Sequence, residues 1–468
     1  MLTQVATSRD RVILRDINIL DVTEGRVSGP TNVLTEGRFL RDLDVKPGSN
    51  DADEIDCSGL TMIPGLIDCH CHILSPFLAY QEGLFPGAWT LKQMKLNFEH
   101  TLAAGVVCVR DMLSPIKILN KQRQKIESGA LPGPDIAASG AILSVKGGYP
   151  EFINPVVFPF SAIAGQPKMH VNTPEEADRY VRYLKRMGAD HIKVGYTSFF
   201  RDFGVKDRMP TISDESLRAV CKTAHELGLI VSVHHNWSSD FDHLIEFDID
   251  SLEHVIFDKE ITDEQIEKLK KSGIKIVPTL SVSDGMARFE EKLGFLETDR
   301  AREMFHENAR KHLHWISSTW LDFKKEKYDA SFGFWRANRK NFAGVQRSVA
   351  KMYKAGVPMA AGTDLGAVVA WPGEMTDEIV RLNHVGLSKI DAIRAATINA
   401  AKLLRRDNSL GTIAPGKFAD VSIIAGNPLE DIYAVRRVRL VGKSGRWYKT
   451  KYPELPDFWP GFSLTFKG

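Results

Sequence analysis

The stretch MIPGLIDCHCH, residues 62–72, contains the strongest structural signal in the sequence. Its apolar start is typical of a buried strand, and side chains on a strand alternate between two faces. Asp68, His70 and His72 therefore share one face, and the two cysteines between them take the other. Two histidines spaced i, i+2 make a good chelate for a divalent transition metal. Alone, this pair would also suit two packed core histidines.

Seven further β-rich runs follow, and helical patterns separate them. The runs are VVCVRDM (106–112), DIAASG (135–140), HIKVGY (191–196), IVSVHH (230–235), SLEHV (251–255), IKIVPT (274–279) and PMAAGTD (358–364). Strands that alternate with helices indicate parallel βα units. We therefore predict an α/β fold with a (β/α)8 TIM barrel over residues 64–407. Active sites of such barrels lie at the carboxyl ends of the strands.

Both ends of the chain have short alternating apolar and polar segments with glycine-rich turns. We predict that residues 1–63 and 408–468 form one small composite β domain. A helical insert at about 284–341 interrupts the alternation. Its aromatic residues include Trp315, Trp320, Phe323, Phe332, Phe334 and Trp335. The insert is either a lid or an oligomer surface, or an extra helical pair with its own small core.

Polar side chains occur at the ends of the later predicted strands. His234 follows IVSV, His254 lies in SLEHV and Asp364 ends PMAAGTD. Lys193 lies within the apolar run HIKV, where its charge would have to be buried or paired. Each residue alone has an ordinary structural explanation, such as a hydrogen-bonded core histidine. Their joint occurrence at successive strand ends favours one shared site.

Together these residues resemble the metal-ligand set of the amidohydrolase superfamily. The matching ligands are HxH on strand 1, Lys on strand 4, His on strands 5 and 6 and Asp on strand 8, which here are His70, His72, Lys193, His234, His254 and Asp364. The segment GTIAPGKFADVSIIAGNPLEDI, near the far end of the chain, also resembles the superfamily, so the resemblance covers nearly the whole chain. The chain is most similar to the branch of Xaa-Pro dipeptidases (prolidases), arginine/lysine carboxypeptidases, ochratoxinase and imidazolonepropionase-related proteins. The resemblance implies a distorted TIM barrel beside a small β-sandwich built from both chain ends.

The resemblance also implies a binuclear metal centre. In the family the strand-4 lysine is carboxylated by CO2, so Lys193 would bridge two divalent metal ions as a carbamate. The strand-1 histidines and Asp364 would bind one ion, and the strand-5 and strand-6 histidines the other. Zinc is favoured, and manganese, cobalt or iron would also suit these ligands. Two cations about 3.5–4 Å apart can hold a bridging hydroxide, whose proton Asp364 would pass to the departing nitrogen.

Substrate contacts are predicted where the chain departs from its branch. Those relatives usually carry a Gly-Gly-His loop after strand 3, whereas LSVKGGYP has Tyr149 at the histidine position. His235, Lys146 and Arg201 are further candidates, the last two as partners for a substrate carboxylate. The second departure is the long insert before strand 8. Both departures concern the choice of substrate and leave the metal ligands intact.

The leading functional hypothesis is a metal-dependent hydrolase that cleaves an amide-type C–N bond in an N-acyl amino acid, a dipeptide or a related small amide. The same machinery could instead act on a carbamate, urea, ester, lactone or phosphotriester, and the sequence leaves these alternatives open. Lys193 disfavours a deaminase, because mononuclear deaminases of the superfamily usually lack it. A non-catalytic, assembly-forming relative is disfavoured because all six ligand positions are filled.

Composition agrees with an enzyme that acts on a small molecule. The chain has 61 Lys+Arg against 59 Asp+Glu, and a net charge of +2 argues against a nucleic-acid binder. Five cysteines are too few, and odd in number, for a disulfide framework, which favours a reducing compartment. We see no leader peptide and no good membrane span, and expect a cytoplasmic protein. The resemblance further implies a homo-oligomer.

Overall fold

The computed structural model describes residues 2–46, 51–75, 89–150, 168–198, 208–319 and 333–451. The strands are β1 (Leu2–Gln4), β2 (Arg11–Asp21), β3 (Arg26–Glu36), β4 (Phe39–Asp42), β5 (Asp53–Asp56), β6 (Leu60–Pro64), β7 (Leu66–Cys71), β8 (Val106–Asp111), β9 (Asp135–Ala138), β10 (Ile142–Ser144), β11 (Lys168–His170), β12 (His191–Gly195), β13 (Ile230–His234), β14 (Ser251–Glu253), β15 (Lys275–Val277), β16 (Val421–Ala425), β17 (Val438–Lys443) and β18 (Arg446–Thr450).

The helices are α1 (Trp89–Ala103), α2 (Ile116–Glu127), α3 (Pro174–Arg186), α4 (Asp214–Glu226), α5 (Ser238–Leu244), α6 (Asp263–Ser272), α7 (Leu280–Ala287), α8 (Phe289–Leu293), α9 (Asp299–Met304), α10 (Glu307–Thr319), α11 (Gly333–Lys354), α12 (Met375–His384), α13 (Lys389–Ala395) and α14 (Ile398–Leu403), with 3-10 helices at Gly294–Glu297 and Ile432–Arg436. None of these described helices is long and apolar enough to cross a membrane.

Two all-parallel sheets are formed by the middle of the chain. One has the order β7-β8-β9, and the other has the order β11-β10-β12-β13-β14-β15. Helices α1 to α6 lie between successive strands in the sequence. Strands β7, β8, β12 and β13 are buried along their whole length, as expected when helices cover a parallel sheet. The predicted α/β class with parallel strands is confirmed.

Local sequence explains where the connecting helices begin and end. Thr262 and Gln265 form a reciprocal capping box at the start of α6, and Gly273 ends that helix with a φ of 73°. At α3, the Thr173 hydroxyl accepts a hydrogen bond from the first turn, and Pro174 occupies the first helical position. These caps define where α3 begins and where α6 begins and ends.

The eighth predicted strand, residues 358–364, is not a regular strand. Met359 forms an isolated bridge to Ile276, where the Ala360 amide donates to the Ile276 carbonyl at 3.0 Å, and Leu365, just after the segment, bridges to Cys71. A Cβ on Gly362 would lie 2.8 Å from the Cβ of His70, so the two backbones approach closely here. Asp364 then adopts a φ of 62°, which ends the extended conformation. The segment therefore runs beside its neighbours without forming a continuous ladder.

Strands from both chain ends share one nine-stranded sheet. β1 pairs with β18, and β6 lies between β2 and β16. Apolar residues from both ends, including Val12, Met62, Val421 and Trp447, pack into one cluster on this sheet. The two chain ends thus share a sheet, and a separate composite β domain stays a prediction. Its sandwich form and its boundaries likewise stay predictions.

The described part of the insert packs into the main core. Phe289, Phe305 and Leu313 are buried in the same apolar cluster as the parallel strands, and Trp315 is partly buried against it. The Phe305 ring lies 5.3 Å from the buried ring of Trp371. Trp320, Phe323 and Phe332 lie outside the described residues, as do the side chains of Phe334 and Trp335. The described aromatic residues thus extend the main core and form no separate small one.

Candidate metal centre

His70 and His72 lie at the end of β7 on the face that alternation predicts. Their rings are 5.8 Å apart, and the Nε2 atoms of His70 and His72 lie 3.5 and 3.1 Å from Oδ1 of Asp364. Nδ1 of His70 lies 2.7 Å from Oε2 of Glu253. Cys71 is buried, and burial raises the pKa of its thiol, so it stays protonated and apolar. The side chains of His70 and His72 therefore converge on Asp364.

Asp364 reaches this position through the close approach of its segment to β7. Its backbone amide donates to the carbonyl of His70 at 2.7 Å. Just before it, the Thr363 amide and hydroxyl both donate to the carboxylate of Asp68, at 3.0 and 2.5 Å. Asp68 also accepts from the amide of His70, so it joins the two segments. The strand that carries HxH is thereby locked to the segment that carries the aspartate.

His234, at the end of β13, and His254, directly after β14, complete the cluster. The ring of His254 lies 4.7 Å from the ring of His70 and 4.7 Å from the ring of His234. His254 has a φ of 73°, and its Nδ1 contacts the hydroxyl of Thr279 at 2.7 Å. Nε2 of His234 contacts Oδ1 of Asn236 at 2.7 Å. Left-handed backbone at a non-glycine residue is costly and is often found at functional sites.

Donor atoms of His70, His254 and Asp364 all lie within 4.8 Å of one another, close enough to bind one ion. Burial lowers the pKa values of His70, His234 and His254 well below the usual range. These imidazoles are therefore neutral near pH 7, and a neutral ring has a lone pair available for a metal. Imidazole and carboxylate ligands suit zinc, manganese, cobalt or iron. The residues present thus fit a divalent metal ion.

Lys193 lies in the middle of β12, between Ile142 of β10 and Ser232 of β13. Its side chain is 2% exposed, and its Nζ has no hydrogen-bond partner among the described residues. Burial lowers its pKa to about 8. An unpaired buried ammonium is costly, whereas a carbamate on Nζ would be an anion able to face metal ions. The environment of Lys193 fits the bridging role that the sequence resemblance implies.

Two charged residues of this region escaped the sequence-based prediction. Arg110 of β8 and Glu253 of β14 form a fully buried ion pair at 2.7 Å, and Glu253 directly contacts His70. The available signal was a charged residue inside each of two β-rich runs, Arg110 in VVCVRDM and Glu253 in SLEHV. Their pairing depends on how distant strands line up.

The predicted substrate contacts fall in different surroundings. The ring of Tyr149 stacks on that of His234, with centroids 3.8 Å apart and planes at 12°. Lys146 is exposed on the same loop. His235 is fully buried against Phe241, with its Nδ1 3.1 Å from the carbonyl oxygen of Glu253, and Arg201 lies outside the described residues. Of these four, Tyr149 contacts a predicted ligand.

Comparison with known proteins gives the family. Residues 61–448 match the model of the Amidohydrolase family. The chain belongs to this family. Like other amidohydrolases of this kind, it is a hydrolase that acts on carbon–nitrogen bonds.

Two solved structures share the fold of this amidohydrolase over nearly their whole length, and one relative is matched by sequence alone. A Xaa-Pro dipeptidase with methionine bound in its active site superposes with a TM-score of 0.72 and 25% identity, covering 94% of this chain and 100% of its own. Ochratoxinase from A. niger gives a TM-score of 0.69 at 21% identity, covering 98% and 99%. An uncharacterized protein of Mycobacterium tuberculosis is 24% identical over 347 residues, which is 74% of this chain and 75% of the relative.

Proposed function

We propose that this amidohydrolase uses two divalent metal ions to hydrolyse an amide-type C–N bond in a small substrate such as an N-acyl amino acid or a dipeptide. The observation that carries this proposal is that His254, from the second proposed ligand group, lies within 4.8 Å of His70 and Asp364 of the first, and that Lys193 is buried with no hydrogen-bond partner for its Nζ among the described residues. The superposition with a Xaa-Pro dipeptidase supports an amide-type substrate.

The proposed ligand set follows the strand ends. His70, His72 and Asp364 would hold one ion, and the histidines that follow β13 and β14 would hold the other. Because Nε2 of His234 contacts Asn236, its Nδ1 is the nitrogen that would face the metal. Lys193 would contact both ions as a carbamate. Forming it joins the neutral amine nitrogen to the carbon of CO2 and releases one proton.

The chain's own residues supply positioning and proton transfer. Bound divalent ions would contribute Lewis acidity, which polarises the scissile carbonyl and acidifies a nearby water. Oδ1 of Asp364 lies beside both strand-1 histidines, where it would accept the proton of the attacking water and return it to the departing nitrogen. This return matters because an amide nitrogen leaves poorly unless it is protonated. Tyr149 would cover the His234 side of the site and contact the substrate there, with Lys146, His235 and Arg201 as further proposed contacts.

We also propose that the parallel strands close into a distorted (β/α)8 barrel. Bridges from Cys71 and Ile276 join the segment 359–365 to β7 and to β15, the edge strands of the two parallel sheets. On the other side, the amide of Asp190 donates to the carbonyl of Ala138 at 2.8 Å, which links β9 to the start of β12. Neighbour contacts around a full ring are what a closed barrel requires.

The deciding experiment is a hydrolysis screen of the metal-loaded enzyme. N-acyl amino acids and Xaa-Pro dipeptides are compared with carbamates, ureas, aryl esters and lactones, and metal content is measured on the same sample. We expect about two metal ions per chain, with the amides as the best substrates. Preference for another bond type would move the proposal to that substrate class. Less than one metal ion per chain, with no activity after adding zinc, manganese or cobalt with bicarbonate, would overturn it.

A further inference from the structure

We propose that Glu253, held in place by Arg110, is a positioning residue that orients the ring of His70 toward the metal site. This inference rests on the proposed function, because it concerns how one ligand of the proposed centre is prepared. It assigns a role to two residues that do not themselves belong to the predicted ligand set.

Both carboxylate oxygens of Glu253 have defined partners. Oε2 lies 2.7 Å from Nδ1 of His70, and Oε1 accepts from Arg110 at 2.7 Å and from the Ser251 hydroxyl at 2.6 Å. The side chain is 0% exposed, so water does not compete for these bonds. A carboxylate with both oxygens occupied in this way has little freedom to rotate. The direction of its bond to His70 is therefore fixed.

Arg110 anchors the carboxylate and also the strand that carries His70. Its Nε donates to the carbonyl of Cys69 at 2.5 Å, next to His70 in the sequence. One terminal nitrogen donates to the hydroxyls of Ser232 and Ser251 at 2.8 and 3.1 Å, and the other to Glu253. Arg110 therefore connects four strands, β7, β8, β13 and β14. His70 is held through its backbone by Arg110 and through its ring by Glu253.

The consequence for His70 is a defined tautomer. A carboxylate accepts hydrogen bonds, so the proton of the neutral ring lies on Nδ1, and Nε2, which faces Asp364, has the lone pair. The negative charge on Glu253 also makes Nε2 a stronger donor. The corresponding partners of His254 and His234 are neutral groups, the Thr279 hydroxyl and the Asn236 amide. His70 is thus the ligand of this group whose ring receives a charged partner.

Stability alone does not account for this buried pair. Replacing a buried ion pair with apolar residues of similar volume is often neutral or stabilising by about 1–4 kcal/mol. Aliphatic side chains at these two fully buried positions would place no charge there. A role in orienting His70 explains why charged residues occupy positions 110 and 253.

The test compares Glu253→Gln with Asp420→Asn. Asp420 is a matched control, since this buried carboxylate, just before β16, pairs at 2.7 Å with a buried cation, Lys443 of β17. Metal affinity of each full-length protein is measured by competition with a coloured chelator for Zn2+, and the absorption spectrum is recorded with Co2+ bound. Thermal unfolding without metal shows whether each variant is folded.

We expect Glu253→Gln to lower the affinity of one metal site by about 10–100-fold and to change the Co2+ spectrum, while Asp420→Asn keeps both wild-type properties. If Glu253→Gln does not fold, the double variant Glu253→Gln/Arg110→Met, which removes both buried charges, is used instead and should show the same loss. Wild-type affinity and spectrum in whichever of these variants folds would overturn the inference alone. A wild-type protein that binds no metal would overturn the proposed function as well.

Discussion

Lys193 should destabilise the metal-free protein, and replacing it with methionine should therefore stabilise that form. Burial lowers the pKa of Lys193 from 10.5 to about 8, and its Nζ has no hydrogen-bond partner among the described residues. Each pKa unit corresponds to about 1.4 kcal/mol, so burying the ammonium costs about 3 kcal/mol at pH 7. Methionine has a similar shape and no charge. Lys193→Met should therefore raise the free energy of unfolding by up to about 3 kcal/mol at pH 7.

The sign of the pH dependence follows from the same lowered pKa. Below pH 8 both the native and the unfolded chain hold the proton, so the full cost is present. Between pH 8 and 10.5 the unfolded chain holds a proton that the native chain has lost, so wild-type stability rises with pH. The advantage of Lys193→Met should consequently shrink across this window. Urea unfolding from pH 7 to 11, without metal and CO2, measures it.

Lys292 provides a matched control for this reasoning. It is also fully buried with a pKa of about 8, but its Nζ contacts the Glu374 carboxylate and donates to the carbonyl of Val369 at 2.7 Å. Lys292→Met leaves Glu374 buried without its cation and should destabilise the protein by about 3–5 kcal/mol. A Lys193→Met variant that is also destabilised at pH 7, or whose advantage is constant with pH, would refute the argument.

Three further predictions concern activity. Asp364→Asn should lower kcat by about 10²–10⁴-fold, because the amide cannot carry the proton, and an unchanged kcat would exclude the proton role. Tyr149→Ala should change KM among the substrates of the screen more than kcat, and equal effects on every substrate would argue against a specificity role. Chelation should abolish hydrolysis and lower the Tm, with both restored by zinc; activity that survives complete metal removal would contradict a metal-dependent mechanism.

The proximity of the candidate ligands could be predicted because each one lies in or directly after a recognisable β-rich run. The alternation of side chains in β7 placed His70 and His72 on one face, and the strand ends at His234 and His254 were visible in IVSV and SLE. Such information is local in the sequence. Parallel packing then brings successive carboxyl ends to one edge.

Other features depend on contacts between distant segments and could not be read in this way. The Arg110–Glu253 pair requires the register of β8 and β14, and the stacking of Tyr149 on His234 requires the path of a loop. The segment 358–364 has the composition of a strand, but its close approach to β7 at Gly362 replaces a ladder with isolated bridges. These outcomes follow from three-dimensional packing, which overrides local propensity.

The sheet shared by both chain ends also bears on how the protein is synthesised. β6 ends at Pro64 and pairs with β16, which begins about 360 positions later, at Val421. At about 5–20 residues per second, the ribosome needs roughly 20–70 s to supply that partner. Throughout this interval the early strands present unpaired edges, the feature that promotes aggregation between nascent chains. We therefore expect the yield of folded enzyme to depend more on rapid release of the chain from the ribosome, or on chaperone protection of its N-terminal segment, than on the stability of the folded protein.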